Sequence, residues 1–123
     1  MSCLFNSFSR LLGIPTDTIR QTICDYLAND GVIMEGLPTQ DVLAIDSGRG
    51  AAHYIAHMRS SSTWGGAIEI QAAAMIWKSK VIVENRRDGG GKIIEFVPIS
   101  PVVAEKEMRI YWTGGHYEPV SAH

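Results

Sequence analysis

The sequence predicts an α+β domain with a helical first half packed on a small, mostly antiparallel sheet. Three observations predict it. Apolar residues recur at helical spacing as far as Ile76, β-branched runs take over after Lys80, and Asp88-Gly89-Gly90-Gly91 joins the first two of those runs. Helices first and strands afterwards is the order of a layered α+β fold. With 123 residues the chain suits one domain, expected over 1–123. Its 46% hydrophobic and 20% charged content supports a packed core.

Each element has its own signal. Ser2 is placed to cap a helix beginning at Cys3, along which Leu4, Phe5, Phe8, Leu11 and Leu12 form a broad apolar face. Gly13 ends that helix and Pro15 prevents its continuation. Thr16 is expected to cap the second helix, with Ile19, Ile23, Tyr26 and Leu27 as its buried stripe and Asn29-Asp30-Gly31 as its stop. Thr39 and Asp41 open a short helix through Leu43, closed near Gly48. Another runs from about Gly50 to Arg59 with Ala51, Ile55 and Met58 inward, before a polar loop over Ser60–Thr63. Trp64-Gly65-Gly66 launches a last helix carrying Ile68, Ala72, Met75 and Ile76 on one face. Strands are expected at Lys80–Glu84, Lys92–Val97, Arg109–Trp112 and from Tyr117 to Val120, arranged as an antiparallel meander.

Composition narrows the function. A net charge of −2 lacks the basic surplus of a nucleic-acid binder. No apolar run approaches the length of about 18 residues that a membrane span needs, and the N-terminus lacks the pattern of a secretory signal. Two cysteines, Cys3 and Cys24, suit an intracellular reducing compartment better than a disulfide framework.

Cys3 falls in the first turn of a helix, where the positive end of the macrodipole favours a thiolate. It reads either as a nucleophile or as a small core residue, whereas Cys24 beside Ile23 reads as packing. His116 follows a Gly-Gly turn, and Glu118, two residues on, shares its side of a strand. That places Glu118 to orient the imidazole as the third member of a triad, or leaves both as surface groups. His53 and His57 lie one helical turn apart, but the Glu of a His-Glu-x-x-His motif and a third ligand are absent, so no metal is expected. Asp88-Gly89-Gly90-Gly91 joins strands and is not a phosphate loop. His123 is terminal and carries no assigned role.

Taken together, Cys3-Leu4-Phe5-Asn6-Ser7, Trp64-Gly65-Gly66 with Glu69-Ile70, and Gly115-His116-Tyr117-Glu118 resemble, in order and across nearly the whole chain, the ovarian-tumour (OTU) family of cysteine proteases. The resemblance implies an OTU-like, papain-type fold and a deubiquitinase that hydrolyses isopeptide bonds at the ubiquitin C-terminus without a cofactor. Cys3 matches the nucleophile, His116 the general base, and Glu118 the position where the family usually carries Asp or Asn. A narrow channel for the two terminal glycines of ubiquitin would be shaped by Trp64, Gly65, Gly66, Gly114, Gly115 and Tyr117, although Trp64 also reads as a core anchor. The implied partners are ubiquitin or a ubiquitin-like modifier and polyubiquitin chains, met by a cytoplasmic monomer. Its small size and minimal loops resemble viral members, for which the place would be the host cytoplasm. The family usually has Asp-Gly-x before its Cys, a turn that supplies oxyanion donors; here only Met1 and Ser2 precede Cys3. The N-terminal part of the family domain is therefore expected to be missing, and a second reading follows: an impaired OTU-like module that binds ubiquitin or another partner without cleaving it.

Overall fold

A computed structural model of the chain describes residues 3–87 and 91–120. Five helices, α1 (Cys3–Leu12), α2 (Thr16–Ala28), α3 (Thr39–Ser47), α4 (Ala51–Met58) and α5 (Ala67–Ile76), precede four strands. These are β1 (Ser79–Asn85), β2 (Lys92–Phe96), β3 (Lys106–Trp112) and β4 (Tyr117–Pro119). The α+β class is as expected.

Helix ends follow local chemistry. Gly13 adopts a φ of 72°, and its N–H donates to the Ser9 carbonyl at 2.8 Å, closing α1. Gly48 closes α3 in the same left-handed way. The expected Thr16 cap is not made, whereas α3 opens at Thr39 as expected. Thr16 and Thr39 are first helical residues, and Pro15 and Pro38 occupy the cap positions with φ preset near −60°. Thr39 turns its hydroxyl to the Gly31 carbonyl at 2.6 Å, tying α3 back to the end of α2. The Ser2 cap, most of the hairpin connection and His123 lie outside the described residues.

The sheet order is β2-β1-β3-β4, which departs from a meander. β1 pairs antiparallel with β2 but parallel with β3, and β4 then returns antiparallel to β3. Pro98 and Pro101 stop the second run from turning directly back on itself. The connection instead crosses the start of β1, where Glu105 N–H donates to the Lys78 carbonyl at 2.7 Å, and delivers β3 to the other side. β3 accordingly starts at Lys106, earlier than the apolar signal at Arg109–Trp112 suggests.

Val81 and Val83 on β1 pair with Met108 and Ile110 on β3, giving the sheet one apolar face. Leu4, Phe5 and Phe8 of α1, Ile19, Ile23, Cys24 and Leu27 of α2, Leu43 of α3, Met58 of α4 and Ile70 of α5 join it in the core. Each fully buried side chain of this size is worth about 1.5–3 kcal/mol of burial. α5 differs from its expected stripe: Glu69, Ile70, Ala72, Ala73 and Ala74 are its buried residues, and Ile68, Met75 and Ile76 are only partly covered. It is enclosed between α2 and the sheet, so its small alanines matter more than a one-sided apolar face.

Candidate active site

α1 and β4 bring the two ends of the chain together. Burial of Leu4, Phe5 and Phe8 anchors α1 and leaves Cys3, in its first turn, half-buried at the surface. The Ser7 hydroxyl donates to the Cys3 carbonyl at 2.9 Å, bracing that turn. At the other end, Thr113 N–H donates to the His116 carbonyl at 3.0 Å, and Gly114 takes a φ of 103° that side chains rarely adopt. This tight turn reverses the chain into β4 and presents His116, Tyr117 and Glu118 beside α1.

A cavity of about 490 Å³ lies between them, lined among others by Cys3, Asn6, Arg10, Trp64, His116 and Glu118. Trp64 closes one side, its ring 6.3 Å from the His116 ring at a tilt of 39°. Tyr117 borders the same space, and its phenol is raised by burial and then by the nearby Cys3 sulfur. Of the channel residues expected from sequence, Trp64 and Tyr117 border this cavity. Gly65 and Gly66 line a neighbouring one, and Gly114 and Gly115 act in the turn.

Among the described residues, no hydrogen bond joins Cys3 to His116 or His116 to Glu118. The ionic partner of Glu118 is Arg10 of α1, at 3.8 Å. Arg10 leaves no trace in a strand-based reading, because the contact depends on how α1 lies against β4.

Gly65 explains how Trp64 is carried to this place. A Cβ there would sit 2.8 Å from Leu4 Cδ2 and 2.9 Å from Phe5 Cζ, so only glycine lets the backbone lie against α1. Gly66 N–H donates to Glu69 Oε1 at 2.8 Å, and Tyr54 of α4 donates its hydroxyl to Glu69 Oε2 at 2.5 Å. From beneath, Arg20 of α2 is almost fully buried and donates to the carbonyls of Met58 at 2.7 Å and Thr63 at 3.0 Å. Its guanidinium also stacks 4.2 Å from the Phe5 ring centroid. The Glu three residues after Gly66 is a legible capping signal; Arg20 has no sequence signal, since an arginine on a helix ordinarily reads as exposed.

Burial raises the Glu69 carboxyl above the usual carboxylate range, against the hydrogen bonds from Tyr54 and Gly66 that lower it; Asp46 raises it further. A carboxyl raised on folding contributes stability that is full below the unfolded value and is lost as pH rises through the folded one. The Tm of the wild type minus that of Glu69→Gln is therefore expected to fall as pH rises from about 4. A difference that stays constant or grows across the acid range contradicts this assignment.

A second cavity, of about 520 Å³, lies across Trp64 and is lined by Asp46, His53, Tyr54, His57 and Glu69, among others. His53 and His57 stack with their rings 6.2 Å apart. Among the described residues, no three His, Cys, Asp or Glu side chains are grouped to hold a metal ion. No helix among them is long and apolar enough to cross a membrane.

The sequence pattern of the OTU-like cysteine proteases matches residues 2–118. The chain belongs to that family. The fold of this OTU domain is similar to that of the OTUD1 OTU domain, with a TM-score of 0.74 and 16% identity over 98% of this chain and 79% of that one. It is also similar to the viral OTU domain protease from Dera Ghazi Khan virus, at 0.72 and 21% identity over 96% of this chain and 72% of that one. A third similar structure is an ovarian tumor domain solved in complex with ubiquitin, at 0.74 and 20% identity. The OTU chain described here covers 62% of that domain's length, and 96% of its own residues align. No curated protein sequence matches it.

Proposed function

We propose that this OTU domain is a deubiquitinating cysteine protease that uses Cys3, His116 and Glu118. The observation that carries the reading is the shared cavity: a thiol in the first turn of a helix lines the same space as an imidazole from the turn before β4 and a carboxylate on β4. His116 takes the proton from the Cys3 sulfur, and the thiolate attacks the carbonyl carbon of the last ubiquitin glycine. Negative charge gathers on the carbonyl oxygen, where the unpaired N–H groups of a helix's first turn are favourable neighbours. The intermediate collapses as His116 returns the proton to the leaving lysine nitrogen, giving a thioester. Water, deprotonated by His116, then attacks the thioester and releases the ubiquitin carboxylate and the Cys3 thiol. For Glu118 to orient His116 it must exchange its exposed pair with Arg10, a contact worth at most about 1 kcal/mol at the surface.

The Glu118–Arg10 pair also favours a second reading, a module that binds ubiquitin without cleaving it. Ubiquitin bearing a C-terminal electrophile separates the two. The protease forms a covalent adduct; the binder holds the probe and forms none. Probes built on other ubiquitin-like modifiers, run in parallel, test the choice of modifier. Trp64 has its own expected outcome. Trp64→Phe shrinks the wall beside His116 and lowers turnover of a ubiquitin ester by about tenfold or more; unchanged turnover removes Trp64 from the channel.

A further inference from the structure

We infer that Tyr54 and Glu69 are positioning residues: together they set the place of the Trp64 ring and, through it, the His116 imidazole. Trp64 is 49% exposed, so packing does not enclose it; its place depends on how its backbone is held. Arg20 holds the Thr63 carbonyl before it, and two restraints act after it. Gly65 rests on Leu4 and Phe5, which fixes how closely the loop approaches α1. Gly66 N–H is held by Glu69, whose other oxygen accepts the Tyr54 hydroxyl from a different helix. Tyr54 and Glu69 are both buried, at 8% and 1% exposure.

Capping α5 does not require this arrangement. A short polar side chain at the surface caps a helix without burying a carboxylate, which is costly to remove from water. What the buried pair adds is a link from α4 through the glycine loop to the ring that faces His116 at 6.3 Å. Trp64 thus joins the Tyr54–Glu69 cavity to the Cys3–His116 cavity.

This inference rests on Cys3 and His116 as the reacting pair, and its first readout needs no turnover. The Cε1–H resonance of His116, assigned with His116→Asn, senses the ring current of Trp64. Tyr54→Phe, which removes only the hydroxyl, is expected to move it in the direction that Trp64→Phe moves it, and Glu69→Ala to do the same. Glu69→Gln keeps an acceptor for Gly66 N–H and is expected to leave the resonance near its wild-type position. In turnover of a ubiquitin ester, Tyr54→Phe is expected to lower kcat about tenfold with KM within about twofold. The Tyr54→Phe/Trp64→Phe double variant is then expected to be no slower than Trp64→Phe alone. A His116 resonance unmoved by Tyr54→Phe and Glu69→Ala, with Tm lowered in both, overturns the inference and leaves a helix cap. Strictly additive losses in the double variant overturn it as well. Absence of turnover in the wild type counts against the protease reading, and the resonance still decides this one.

Discussion

Cys3→Ala is expected to abolish the covalent adduct with a ubiquitin electrophile and to cut ester hydrolysis by about 10⁴-fold or more. In the proposed mechanism the sulfur supplies the electron pair that attacks the carbonyl, and alanine has none. His116→Ala is expected to cost nearly as much, and the double variant little more than either, because the two act as one unit. The second thiol cannot stand in. Cys24 is fully buried in α2, and burial pushes it up to about 11, so it is protonated at neutral pH and out of reach. Mass spectrometry of the probe reaction is the check. An adduct that survives Cys3→Ala refutes the nucleophile, while tight binding by a wild type that forms no adduct selects the module that binds without cleaving.

Arg20→Ala is expected to be the most damaging substitution to the fold away from the candidate site, at about 3–5 kcal/mol in urea unfolding. The carbonyls of Met58 and Thr63 lose a charged donor, and Phe5 loses the cation over its ring. A buried carbonyl left unsatisfied costs about 1–3 kcal/mol, so two losses reach this range before the cavity is counted. Arg20→Lys is expected to recover only part, because an ammonium cannot spread donors across two carbonyls and stack on a ring as a planar guanidinium does. A loss below about 1 kcal/mol for Arg20→Ala means that the carbonyls find other donors. Since the loop held by Arg20 leads into Trp64, the variant also reports whether stability and the wall of the candidate site are linked.

Helix and strand identity were legible because they follow from local spacing. The α1 stripe of Leu4, Phe5 and Phe8 and the stop at Gly13 are found where the periodicity puts them. One cap was misread: Thr16 carries the right side chain, yet the proline before it holds the cap position. Tyr54 was missed as a buried residue of α4, because its hydroxyl counts as polar until the Glu69 acceptor is seen beside it. The order of the sheet was also out of reach. Nothing in the strand residues distinguishes a parallel β1–β3 pair from an antiparallel β2–β3 pair; that depends on where the proline-containing connection runs.

The sequence by itself determined the residue types of the proposed chemistry and the secondary structure that carries them: a cysteine at a helix start, and a histidine and a carboxylate two apart behind a glycine turn. It also carried the ordered blocks that mark the OTU family. Tertiary structure alone decided that α1 meets β4 around one cavity, that Glu118 rests on Arg10, and that Arg20, Tyr54 and Glu69 hold the Trp64 wall. The physical reason is range. Periodicity and turn chemistry act over a few neighbouring residues, whereas these contacts join groups 15 to 108 positions apart, and only the packed core sets their distances.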